Sequence, residues 1–78
     1  MATKMQLQEK YDKRAERVSS LAEAGQIEAA DLHELDYLGR FKVANEHWGI
    51  CDTSARQALL NDQHHFVRSC ARIEASKH

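Results

Sequence analysis

The stretch Asp31–Gly49, DLHELDYLGRFKVANEHWG, constrains the fold more than any other, because as a helix it is apolar on two sides. At about 100° per residue, Leu32, Leu35, Gly39 and Val43 fall into one stripe. Tyr37, Phe41, Ala44 and Trp48, spaced four, three and four, form a second stripe roughly opposite, with Leu38 between them. A neighbouring helix covers one of these sides. Something else must cover the other.

Seventy-eight residues predict a single helical domain over 1–78, with residues 1–3 and 76–78 frayed. An apolar content of 42% with 29% charged side chains belongs to a globular chain, not a disordered one. There is no proline and there are three glycines, which points to long uninterrupted helices. A domain this small commonly has a core worth only ~3–5 kcal/mol, made up elsewhere by staples or association. Two cysteines, no leader-like segment and no membrane-spanning apolar run point to a reducing cytoplasm and leave the staples out. Self-association or a partner protein is then the expected source of further stability.

The first helix is predicted over about residues 4–24, where Leu7, Tyr11, Ala15, Val18 and Ala22 recur at helical spacing. Its charges are sorted, with Lys10, Arg14 and Arg17 on one flank and Glu9, Asp12, Glu16 and Glu23 on the other. Such flanks meet opposite charges on neighbouring helices, or dock an acidic partner. Gly25 is placed to end the helix as a left-handed cap. Asp31 and Glu34 have capping-box spacing, so the central helix is predicted over 31–48, with Ile27 as an alternative start. Gly39, inside it, marks a close approach of another helix. Gly49 ends it, and Asp52 or Thr53 caps a third helix over 53–75. In that helix Ala55, Leu59, Phe66, Cys70 and Ile73 line the main apolar stripe, widened by Leu60, Val67 and Ala71. The expected architecture is all-α, a small three-helix bundle running up-down-up.

Residues suited to catalysis or metal binding are scattered. His47, Cys51, His64, His65 and Cys70 could all ligate zinc, yet the two histidines lie six and five residues from Cys70, where ligands on one helix want three or four. Cys51 sits beside a helix N-terminus, which favours a thiolate, while Asp52 next to it opposes one. No phosphate loop, paired-carboxylate motif or HExxH is present. The expectation is no enzyme, no metal and no cofactor.

Two binding modes remain. Around the second turn, FKVANEHWGICDTSARQAL resembles a helix-turn-helix, with Ala44, Trp48, Ile50, Ala55 and Ala58 at the family's apolar positions and Gly49 in the turn. The resemblance implies a recognition helix presenting Thr53, Ser54, Arg56, Gln57 and Asn61 to the major groove. It departs from the family at Asn45, where a small residue normally sits, and in the length of both helices. The net charge of −1 also gives little attraction to phosphate. The other mode uses the aromatic stripe. Three of the chain's five Phe, Tyr and Trp residues lie on it, and such side chains concentrate the energy of interfaces. The leading expectation is a small regulator or inhibitor binding a protein partner, or a second copy of itself, through Tyr37, Phe41, Ala44 and Trp48. An acidic segment at 26–50, with five acidic and two basic residues, would suit a basic target. The DNA-binding reading is the alternative.

Overall fold

The computed structural model describes residues 4–77, with side chains from Lys13 onward. Five helices succeed one another: α1 (Lys4–Glu23), α2 (Ala29–Leu32), α3 (Tyr37–Glu46), α4 (Thr53–Leu60) and α5 (His65–Lys77). A 3₁₀ turn at Trp48–Ile50 links α3 to α4. The all-α bundle predicted from the sequence is observed, but two of its three helices are each divided.

α1 ends one residue short of its predicted limit, and Gly25 takes the left-handed conformation at φ 81°. Its N–H donates to the Ala22 carbonyl at 3.1 Å, closing the last turn. Val18 is buried and Leu21 packs against the core, fixing the inward side of the helix. Leu7 and Tyr11, from the predicted stripe, lie outside the described side chains, as do Lys10, Glu9 and Asp12. Residues 1–3 and 78 are outside the described residues altogether, and α5 continues through Ser76 to Lys77.

The predicted helix 31–48 breaks at 33–36. Asp31 is not its N-cap; it sits in the first turn of α2, where its carboxylate accepts the Glu28 N–H at 2.9 Å. Asp36 then restarts the chain in an extended conformation, and its Oδ1 accepts the Gly39 N–H at 2.9 Å as a new N-cap. The predicted helix 53–75 breaks at 61–64 for a similar reason. The Asn61 side chain donates to the Gln57 carbonyl at 2.9 Å, and Asp62 Oδ1 accepts the His64 N–H at 2.9 Å. Asn and Asp offer the backbone these local alternatives to continuing a helix.

The second break turns the chain back, so the up-down-up order does not hold. α5 runs beside α3 in the same general direction: Tyr37 stacks on His64 at one end, and Asn45 meets Cys70 further along. Arg40 ties the two breaks together. It donates to the Leu35 carbonyl at 2.8 Å and to both carboxylate oxygens of Asp62, at 2.6 and 3.3 Å. Elsewhere, the Ile27 N–H donates to the Ile50 carbonyl and the Asp52 N–H to the Ile27 carbonyl, both at 2.9 Å. This single backbone bridge pins the first inter-helix turn to the second. Ile27, Leu59, Val18, Val43 and Val67, each from a different part of the chain, fill the centre.

Gly39 does mark a close approach, though not of another helix. A Cβ there would lie 3.1 Å from Leu35 Cβ and 3.3 Å from Asp36 Oδ1, both in the preceding turn. Leu35 is buried and cannot readily give way. Gly39→Ala should therefore fail to deliver the ~1 kcal/mol that alanine normally adds to helix propensity. Urea unfolding checks this, and a full stabilisation of that size would contradict the packing.

Candidate functional site

The aromatic stripe of the central stretch is divided by the end of α3. Its first half, Tyr37 and Phe41, lies on the surface at 41% and 37% exposure. Its second half is core, with Ala44 at 0% and Trp48 at 4%, so neither is available to a partner as the sequence had suggested. Ala44 lies within α3 and joins the core cluster; for Trp48 the physical reason is local. α3 stops at Glu46, His47 leaves the helical region at φ −127°, and Trp48 enters the 3₁₀ turn with a different phase. Its ring swings inward, where the Arg56 guanidinium covers it at 5.4 Å.

The stripe predicted for the third helix is divided in the same way. Ala55 and Leu59 of α4 and Val67, Cys70 and Ala71 of α5 are buried, but Phe66 and Ile73 are 58% and 56% exposed. The break at 61–64 resets the rotation of α5 relative to α4, turning these two side chains outward. Among the described residues, the exposed large apolar side chains are Tyr37, Leu38, Phe41, Phe66 and Ile73, and all five belong to α3 and α5. The two helices that run side by side thus carry all of them, and a row of rings links Tyr37 to Phe66. Sequence reasoning missed Leu38, Phe66 and Ile73 as members of this group. The Asn61–Asp62 pair was the signal that could have found the last two.

This row of rings joins the two helices at one end. The Tyr37 ring stacks on His64 with centroids 4.1 Å apart and planes 9° from parallel. His64 in turn stacks on His65 and Phe66, at 5.3 and 5.5 Å. His64 Nδ1 also accepts the Phe66 N–H at 3.3 Å, helping to start α5. Further along α3, Leu38 and Phe41 border a shallow groove shared with Arg14, Ala15, Lys42, Asn45 and Glu46. That groove lies between α1 and α3, with polar side chains around Leu38 and Phe41.

The charges suited to an acidic or basic partner are largely spent inside the molecule. Arg14 Nε donates to Asp36 at 2.9 and 3.0 Å and Nη2 at 2.6 Å, and Arg17 pairs with Glu34. Asp31 serves the α2 cap and Asp62 holds Arg40. The acidic middle segment is in large part neutralised by α1 and by its own caps. Arg14 beside Asp36 holds the Asp36 carboxyl below its ordinary value of 3.8, the Gly39 N–H adding to this while partial burial opposes it.

A depressed carboxyl contributes stability that is complete above its unfolded value and is lost as pH falls through its folded one. Melting temperature should accordingly fall as pH drops below about 4, and Asp36→Asn should remove part of that fall. With the Asp36 side chain 47% exposed, solvent screening keeps the effect to ~1 kcal/mol or less. An unchanged acid slope in Asp36→Asn would mean that the pair is idle.

The residues suggested for DNA contact are not gathered for that purpose. Thr53, Gln57 and Asn61 are exposed, but Asn61 is bonded back to Gln57. Ser54 accepts the Ala29 N–H at 3.1 Å and donates to Asp52 at 2.6 Å, joining α4 to the start of α2. Arg56 is folded over Trp48 and donates to its carbonyl at 3.2 and 3.3 Å. α4 packs mainly on α5 and α2, not across α3 as a recognition helix would.

Cys51 is buried, which pushes its thiol up to about 11, so it is protonated at neutral pH and a poor nucleophile. Cys70 is buried as well, and its thiol is also raised by burial. Among the described residues, no three His, Cys, Asp or Glu side chains gather as metal ligands do, and no helix is long and apolar enough to cross a membrane. No protein-family model, curated protein or solved structure matches the chain, so its own surface is the guide to what it does.

Proposed function

We propose that the chain is a non-enzymatic interaction module, a small regulator or inhibitor that binds another protein through the joint face of α3 and α5. The observation that carries this reading is the gathering of Tyr37, Leu38, Phe41, Phe66 and Ile73 on those two helices. Scattered exposed apolar residues are normal, but a contiguous group rimmed by polar side chains is what contact surfaces look like. Tyr and Phe on a rigid helix pair also bind at low entropic cost, having only two side-chain torsions to fix.

The experiment is site-specific photocrosslinking in the host cell. A photoreactive phenylalanine analogue is placed at Phe41 or Phe66, and at Gln57 on exposed α4 as the control. Discrete protein adducts from positions 41 and 66, with none from 57, are the expected result. Adducts from 57 alone, or from none of the three, would overturn the reading.

A further inference from the structure

We infer that the break at 61–64 is a hinge, and that opening it exchanges α5 between two copies of the chain. In the exchanged form α4 and α5 join as one continuous helix over 53–77, and each α5 packs on the other copy.

The straight form is already in register in the sequence. On an uninterrupted helix, Ala55, Leu59, Phe66, Cys70 and Ile73 fall within about 60° of one another. Residues 61–64, Asn-Asp-Gln-His, include neither Gly nor Pro, so nothing in them bars a helix from passing through. The bent form uses another side of α5, burying Val67, Cys70 and Ala71 and leaving Phe66 and Ile73 outside. One segment therefore carries two apolar faces, one for each state of the hinge.

Side chains hold the bend, and Asp62 is at their centre. Its carboxylate receives Arg40 from α3 and the His64 N–H, and its carbonyl receives Arg68 from α5. The His64 ring then accepts the Phe66 N–H. In a continuous helix the His64 N–H passes to the Leu60 carbonyl and the Phe66 N–H to the Asp62 carbonyl. The backbone is thus satisfied in either state. Opening gives up chiefly the side-chain links to Asp62.

The occupant of the vacated place follows from what α5 covers. It packs on α3 and α4, and in a lone chain a straight helix would strip both. The α5 of a second copy has the matching side chains at the matching spacing. Once it docks, the contacts of α5 are remade between chains, and the dimer differs from two monomers mainly at its two hinges. Formation needs opened chains, so the dimer forms slowly and, once formed, survives dilution.

The test holds the full chain at about 1 mM near its melting temperature, cools it, and separates monomer from dimer by size-exclusion chromatography. A dimer fraction should appear and persist for hours after dilution to low micromolar concentration, because separation requires α5 to leave its site. The dimer is then made from equal parts of isotope-labelled and unlabelled chains. Isotope-filtered NMR should find the contact between Asn45 and Cys70 running from one chain to the other, where the monomer has it within a chain. Gln63 is exposed in the break, so substitutions there act on the hinge and not on the core. Glycine in a helix costs each chain roughly fivefold relative to alanine, and each dimer has two hinges. Gln63→Ala should accordingly give at least about tenfold more dimer than Gln63→Gly. Four results would overturn the exchange: no dimer from the wild type or Gln63→Ala, equal yields from the two variants, a dimer that separates promptly on dilution, or an Asn45–Cys70 contact that stays within one chain.

Discussion

Asp62→Ala should remove most of the chain's stability, about 3–5 kcal/mol. The Asp62 side chain is 7% exposed and its partner Arg40 15%, so the pair is largely removed from water. Its carboxylate receives Arg40 and the His64 N–H, and its carbonyl receives Arg68 Nη1 at 2.6 Å. Removing one member of a buried pair typically costs about 3–5 kcal/mol, because the other charge is left without compensation. A small domain's whole stability is on the order of 5 kcal/mol. The damage would also be structural, since Asp62 and Arg40 join the two breaks that set α5 beside α3. Replacing both with Leu and Met should cost less than Asp62→Ala alone, as no charge is then stranded. Urea unfolding measures both, and a loss below about 1 kcal/mol in the single variant would show that the pair does not hold the breaks.

Trp48→Ala is expected to be nearly as severe, at about 3–5 kcal/mol. The ring is 4% exposed and sits under Arg56, whose guanidinium also holds the Trp48 carbonyl. Removing it would leave a large cavity beside the backbone bridge between Ile27 and Cys51. Calorimetry or urea unfolding followed by circular dichroism would report this. A variant that melts within a few degrees of wild type would return Trp48 to the surface and restore the single aromatic stripe.

Sequence alone placed several of these features well. α1, the Gly25 cap, the Asp52 cap and the buried Leu32–Leu35–Gly39–Val43 stripe all derive from spacing and capping chemistry, and the structure has them. The two breaks were hidden because neither contains Gly or Pro and the apolar spacing runs through both. Leu35 and Val43 keep helical register across the first, and Leu59, Phe66 and Cys70 across the second. Only the polar residues give them away. Asp36 can cap a new helix as readily as Asp31, and Asn61–Asp62 can end one turn and start another.

The errors in the candidate site stem from the end of α3 at Glu46 and from the break at 61–64. An unbroken central helix carries Trp48 on the same side as Phe41, and an unbroken third helix carries Phe66 on the same side as Leu59. Each of these interruptions rotates the next segment of chain about its axis, exchanging core and surface. Trp48 moved in, and Phe66 and Ile73 moved out. The two-sided apolar character of the central stretch was a real signal, but its second side is completed by α5 rather than by the end of the same helix.

Neighbouring residues on α5 offer the most direct test of whether this face is surplus to folding. Phe66 is 58% exposed and Val67 0%. Urea unfolding of Phe66→Ser and Val67→Ser, at low micromolar concentration to suppress association, compares an outward and an inward side chain one position apart. Phe66→Ser should stay within about 1 kcal/mol of wild type, whereas Val67→Ser should lose about 2 kcal/mol or more. A Phe66→Ser variant destabilised as much as Val67→Ser would put that ring in the core and remove α5 from the interaction face.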